Sequence, residues 1–133
     1  MTNFPSPSSL LPHRAPFLFV DAITELTPGI SASAIWRLTG NETFFEGHFP
    51  GRPTLPGVLM CEAIAQTGAL AIVSDPKFVG KLPLFGGLDG KLVPATRWNF
   101  LRLSVVCRPV PAKVQESLAS TARLRVNANY SLW

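Results

Sequence analysis

The sequence is short of charge. Asp, Glu, Lys and Arg make up 15% of its 133 residues, against 47% hydrophobic. That balance excludes a disordered chain and fits one domain with one core. Cysteine is scarce as well. Cys61 and Cys107 have no metal-type spacing and make no disulfide framework, so a reduced, cytoplasmic setting fits. No P-loop, Gly-rich dinucleotide loop or metal-ligand set is present, so neither a cofactor nor a metal is expected. Long apolar runs are missing too. The longest, Val58 to Val73, spans 16 residues and contains Glu62 and Gln66. A membrane helix needs roughly 20. A buried helix of a soluble domain is expected, with no membrane partner. The opening "MTNFPSPSSLLPHR" lacks the basic and apolar regions of a signal peptide.

Acidic residues thin out toward the end. Residues 1–90 hold five Lys/Arg and seven Asp/Glu, whereas residues 91–133 hold seven and one. The whole-chain charge of +4 therefore comes from the tail. Such a step points to a basic arm, a second module or an altered tail. A nucleic-acid-binding tail using Trp98, Phe100, Tyr130 and Trp133 is the least favoured of these readings, and no nucleic-acid partner is expected.

What is present is ordered along the chain. Residues 1–9 are rich in Ser and Pro and read as a loose leader. "FLFVDAITEL" (17–26) reads as a strand, and "TPG" (27–29) as a turn. In "ISASAIWRL" (30–38), Ile30, Ala32, Ala34, Trp36 and Leu38 share one face of a second, antiparallel strand. A helix follows from about Val58, apolar nearly all round, then a loop over 74–81 and a short strand over 82–90. Sheet, buried helix and more sheet suggest an α+β domain with the sheet wrapped around the helix.

Two groups stand out as chemistry. "GHFPGRPTLPG" (47–57) surrounds His48 with Pro50, Pro53 and Pro56 and with three glycines. Proline fixes φ, so this loop has little freedom and ends at a helix start, where free N–H groups can hold an oxyanion. Alone, it reads as a rigid turn with a satisfied histidine. Glu62 changes the weighing, because an unpaired buried carboxylate is costly. Gln66, four residues on, shares its helical face. A rigidly placed His and a Glu in adjacent elements suggest general acid–base chemistry. His13 and Arg14 in "LLPHRAPF" are weaker candidates that could cap or pair locally.

"LLPHRAPFLFVDAITELTPG", "GHFPGRPTLPGVLMCEAIAQTGAL" and "LFGGLDG" together resemble the 3-hydroxyacyl-[acyl-carrier-protein] dehydratase family of type II fatty acid synthesis. The resemblance covers about residues 10–90. It implies the hot-dog fold, a long central helix wrapped by an antiparallel sheet, assembled as a homodimer or a hexamer of three dimers. It implies that His48 takes a proton from the α carbon of the acyl thioester. Glu62, from the partner subunit, would protonate the departing 3-hydroxyl, and the Gly57 N–H would hold the thioester oxygen. Val58, Phe49, Pro56 and Gln66 would line the substrate. The implied partner is acyl carrier protein bearing a 3-hydroxyacyl thioester. Glutamate at position 62 favours this branch over the related dehydratase/isomerase, and the His–Glu string disfavours a hot-dog thioesterase.

The resemblance ends near residue 90. Back-translated with a one-base shift, Pro94–Phe100 reads Pro-Gly-Asp-Thr-Leu-Glu-Leu, and Ala119–Asn129 reads Val-Asp-Gly-Glu-Val. These match the turn and hairpin of the family. Residues 91–133 are therefore expected to be an out-of-frame tail, with the C-terminal strands missing or disrupted. The competing reading for the chain is then an inactive, altered product. A packed sheet containing Val105, Val114 and Leu124 would count against this expectation.

Overall fold

The computed structural model describes residues 3–80, 82–89, 100–108 and 121–126. In chain order these form α1 (Pro7–Leu10), β1 (Ala22–Thr27), β2 (Ser31–Arg37), α2 (Phe44–Gly47), α3 (Gly57–Val73), a 3-10 turn at Pro76–Phe78, β3 (Leu84–Asp89), β4 (Phe100–Arg108) and β5 (Thr121–Val126). The strands make one sheet in the order β1-β2-β4-β5-β3.

The β1–β2 hairpin is antiparallel, as its alternation predicts. Ala32, Ala34, Trp36 and Leu38 are buried on the core side, while Ile30 lies in the turn ahead of β2 and is exposed. The register slips between Ile23 and Glu25, leaving Thr24 as an extra residue. Such a bulge bends a strand and increases its twist. The first strand is shorter than expected. It begins at Ala22, because the backbone at Phe17 and Phe19 bonds to Gln66 instead of to a strand.

Helix α3 packs mainly on β4 and β2. Met60, Ala63, Ile64, Leu70 and Ala71 are buried there with Thr67. The Thr67 hydroxyl donates to the Ala63 carbonyl at 2.8 Å, so its burial leaves no polar group unpaired. At the far end, the Gly29 N–H donates to the Ala71 carbonyl at 2.8 Å, tying the hairpin turn to the helix.

Two expectations are corrected. Residues 3–9 are not a loose leader: α1 forms, Pro7 is buried, and Phe4 packs against the core. Strands also follow residue 91. β4 pairs with β2 along seven residues, from Ser31↔Val106 to Arg37↔Phe100. Val105 is 1% exposed, and a polar ladder crosses the three strands. The Ser33 hydroxyl donates to Glu25 Oε2 at 2.7 Å. Its proton thus committed, Ser33 accepts from Ser104 at 3.0 Å. Leu124 lies in β5 opposite Cys107 and Leu88, and Val114 falls outside the described residues. The sheet departs from an all-antiparallel pattern at one place, since β3 and β5 run parallel.

Candidate active site

His48 ends the short helix α2, and its two flanks are anchored in the core by Phe45 and Leu55. The loop between closes on itself. The Thr54 N–H donates to the His48 carbonyl at 2.8 Å, and Phe49 and Arg52 exchange N–H bonds to each other's carbonyls at 3.2 and 2.9 Å. Gly51 sits at φ +72°, where a side chain would be strained. The proline-rich segment is therefore the stiff cradle its composition predicts.

The cradle also decides the chemistry of the ring. His48 Nδ1 lies 2.8 Å from the Thr54 carbonyl oxygen. A carbonyl can only accept, so Nδ1 carries a proton, and in the neutral imidazole the lone pair is on Nε2. One ring face is covered by Phe49, stacked at 4.1 Å between centroids. His48 is thus half-buried and held at one ring nitrogen and one face.

Pro56 caps α3 through its carbonyl, which accepts from the N–H groups of Leu59 and Met60. The Gly57 and Val58 N–H groups have no partner among the described residues. Both residues are exposed, and nothing lies within 4 Å of where a Gly57 Cβ would stand. Free N–H groups at a helix start carry partial positive charge and suit a developing oxyanion.

Glu62 lies one turn further along α3. It is not buried alone: its side chain is 30% exposed within the single chain. Oε1 accepts from Gln66 Nε2 at 3.0 Å and stands 3.6 Å from His13 Nε2. Gln66 is 1% exposed and fully used. Its oxygen accepts from the Phe19 N–H at 2.8 Å, and its amide nitrogen also donates to the Phe17 carbonyl at 2.9 Å. A row of rings, Phe17, Phe19, Trp36, Phe44 and Phe45, runs from this side of the helix to the element that carries His48.

The structure thus brings Glu62 to Gln66 and His48 to Phe49, and puts Gly57, Val58 and Pro56 at one helix start. Within one chain no hydrogen bond or ion pair joins His48 to Glu62 among the described residues. Sequence reasoning missed Thr54, which contributes only a backbone carbonyl. It also gave His13 no role at Glu62, 49 positions on. Arg14 does pair locally, donating to the carbonyls of Leu11 and His13.

A long apolar helix laid on one bulged sheet, with a histidine cradle leading into it, is the hot-dog class of α+β domain. A family model for the FabA-like domain matches residues 11–89. The chain belongs to the FabA-like family. It is similar to the 3-hydroxyacyl-[acyl-carrier-protein] dehydratase FabZ of Chloroflexus aggregans, 56% identical over 82 residues, covering 62% of this chain and 57% of that protein. The FabZ of Herpetosiphon aurantiacus is 48% identical over 99 residues, covering 73% of this chain and 70% of that protein. The FabZ of Caldanaerobacter subterraneus is 42% identical over 126 residues, covering 86% and 89%. The chain thus spans little more than half the length of some relatives and most of others. Among the described residues, no helix is long and apolar enough to cross a membrane.

Proposed function

We propose that this chain dehydrates (3R)-3-hydroxyacyl thioesters carried on acyl carrier protein to trans-2-enoyl thioesters, a hydro-lyase step of type II fatty acid biosynthesis. The observation that carries the reading is the His48–Thr54 bond, which leaves Nε2 as the free lone pair. His48 Nε2 removes a proton from the α carbon. Enolate character develops on the thioester oxygen, which the Gly57 N–H receives. The C–O bond at the third carbon then breaks, the C=C bond forms, and Glu62 gives its proton to the departing hydroxyl, which leaves as water. A base must be unprotonated and an acid protonated in the same site. Val58, Phe49 and Pro56 line the acyl path, while Gln66, buried and bonded to Glu62, backs the acid.

In this reading, as the family resemblance implies, Glu62 comes from a partner protomer, and the working unit is a homodimer or a hexamer of three dimers in the cytoplasm. Acyl carrier protein delivers the substrate. The test follows enoyl-thioester absorbance with purified protein. His48→Ala and Glu62→Gln are each expected to lower turnover by about 10²–10⁴-fold. Near-normal turnover by either variant overturns the assignment.

A second reading is an inactive product whose tail is translated out of frame. The charge step after residue 90 favours it, whereas the pairing of β4 with β2 and the burial of Val105 count against it. A gene whose shifted frame lacks the two family motifs removes this reading, and so does turnover by the parent chain.

A further inference from the structure

His13 has no role in the mechanism above, yet it is placed with unusual economy. It lies in the segment between α1 and β1, where its backbone is held by Arg14, whose guanidinium donates to the carbonyls of Leu11 and His13. The side chain reaches back to α3. Nε2 stands 3.6 Å from Glu62 Oε1, and Nδ1 is buried with no hydrogen-bond partner. An orphaned buried nitrogen is a cost to folding. Among the described residues, the ring's polar contact is Glu62. Arg14 is turned to backbone carbonyls, so the cation next in sequence does not take that place.

The two oxygens of Glu62 are consequently unequal. Oε1 faces Gln66 and His13, whereas Oε2 has no partner among the described residues. An oxygen that already accepts a hydrogen bond is the poorer site for an acid proton, so Oε2 is the better site for it when the carboxyl acts as an acid. A half-turn of the carboxyl would exchange the two oxygens. Gln66 alone opposes this with one bond, and its amide is shared with the Phe17 carbonyl.

We propose that His13 is a positioning residue for Glu62: its ring, 3.6 Å from Oε1 beside the Gln66 hydrogen bond to the same oxygen, favours the carboxyl orientation that leaves Oε2 toward the substrate hydroxyl. This rests on the proposed role of Glu62 as the acid. The residue acts through Glu62 and touches no reacting atom.

The experiment compares the parent chain with His13→Leu, His13→Gln, Glu62→Gln and the double variant His13→Leu/Glu62→Gln, each first checked for folding and size. His13→Leu is expected to lower kcat by about tenfold or more, the scale of a misplaced catalytic group, with KM within about twofold. His13→Gln keeps an N–H donor at the reach of Nε2 and is expected to restore most of the loss. In the Glu62→Gln background His13→Leu is expected to add nothing, because the effect passes through the carboxyl. Parent-level kcat in both His13 variants, with Glu62→Gln inactive, overturns this inference alone. Equal losses in His13→Leu and His13→Gln overturn it as well, since a merely structural role predicts no rescue by a donor. Normal turnover by Glu62→Gln overturns the site reading and this inference with it.

Discussion

Gln66 is the side chain on which fold and site most directly depend, and replacing it gives a loss that can be worked from its bonds. Gln66→Met keeps an unbranched side chain of similar volume, so it opens little cavity. It removes three hydrogen bonds, to the Phe19 N–H, the Phe17 carbonyl and Glu62 Oε1. The three vacated groups differ. The Phe19 N–H is buried, and leaving such a donor unpaired costs about 1–3 kcal/mol. The Phe17 carbonyl is only part-buried and recovers much of its bond from water. Glu62, 30% exposed, does the same. The Phe19 term dominates, for a total of about 2–3 kcal/mol. In a domain of this size that is a fall in Tm of roughly 6–15 °C. Urea denaturation at one fixed protomer concentration is the assay, since self-association would add its own stabilisation. Gln66→Leu should behave alike. If both variants lie within about 0.5 kcal/mol of the parent, the range of an ordinary surface change, the clamp does not hold the Phe17–Phe19 segment and the reasoning fails.

Two further perturbations test the frame around the site, beside those of His48, Glu62 and His13. Gly29 and Gly40 both have positive φ, +73° and +85°, but a Cβ on Gly29 would stand 2.5 Å from Asp75 Oδ2, while nothing lies within 4 Å at Gly40. Gly40→Ala should therefore cost about 1–2 kcal/mol for backbone alone, and Gly29→Ala measurably more by thermal denaturation; equal losses would remove the contact from the account. At Glu42, burial pushes the carboxyl up, but bonds from the Thr39 N–H, its own N–H, the Thr39 hydroxyl and the Gly40 N–H outweigh it and hold the group below its ordinary value. A depressed carboxyl stabilises the fold above its unfolded value and loses that contribution as pH falls through the folded one. The stability difference between parent and Glu42→Gln should thus shrink below about pH 4.3; a difference constant from neutral to acid pH would contradict the role of these bonds.

Much of this architecture is legible in the chain itself. The alternation of Ala32, Ala34, Trp36 and Leu38 marks a strand with one buried face, and burial follows it. The apolar run from Val58 marks the central helix, which begins one residue earlier, at Gly57. Prolines and glycines around His48 mark a stiff loop, because their limits on φ act locally. The strands after residue 91 are not legible, because their periodicity is weak. β4 is specified by the edge of β2 and by the bonded Glu25 and Ser33 side chains that its Ser104 meets, all of which lie outside its own segment.

The sequence by itself determined the elements whose causes are local: the hairpin, the helix, the rigid loop, and the presence of one histidine and one glutamate beside an apolar stretch. Tertiary structure alone decided the rest. It shortened the first strand, because Gln66 takes the backbone bonds that Phe17 and Phe19 would have given to a neighbouring strand. It chose the tautomer of His48, because the atom opposite Nδ1 is a backbone carbonyl that any residue could supply. It set His13 against Glu62 across 49 positions. Backbone groups carry no side-chain signature, and contacts between distant residues leave no periodic trace, so such decisions are made only when the chain is folded.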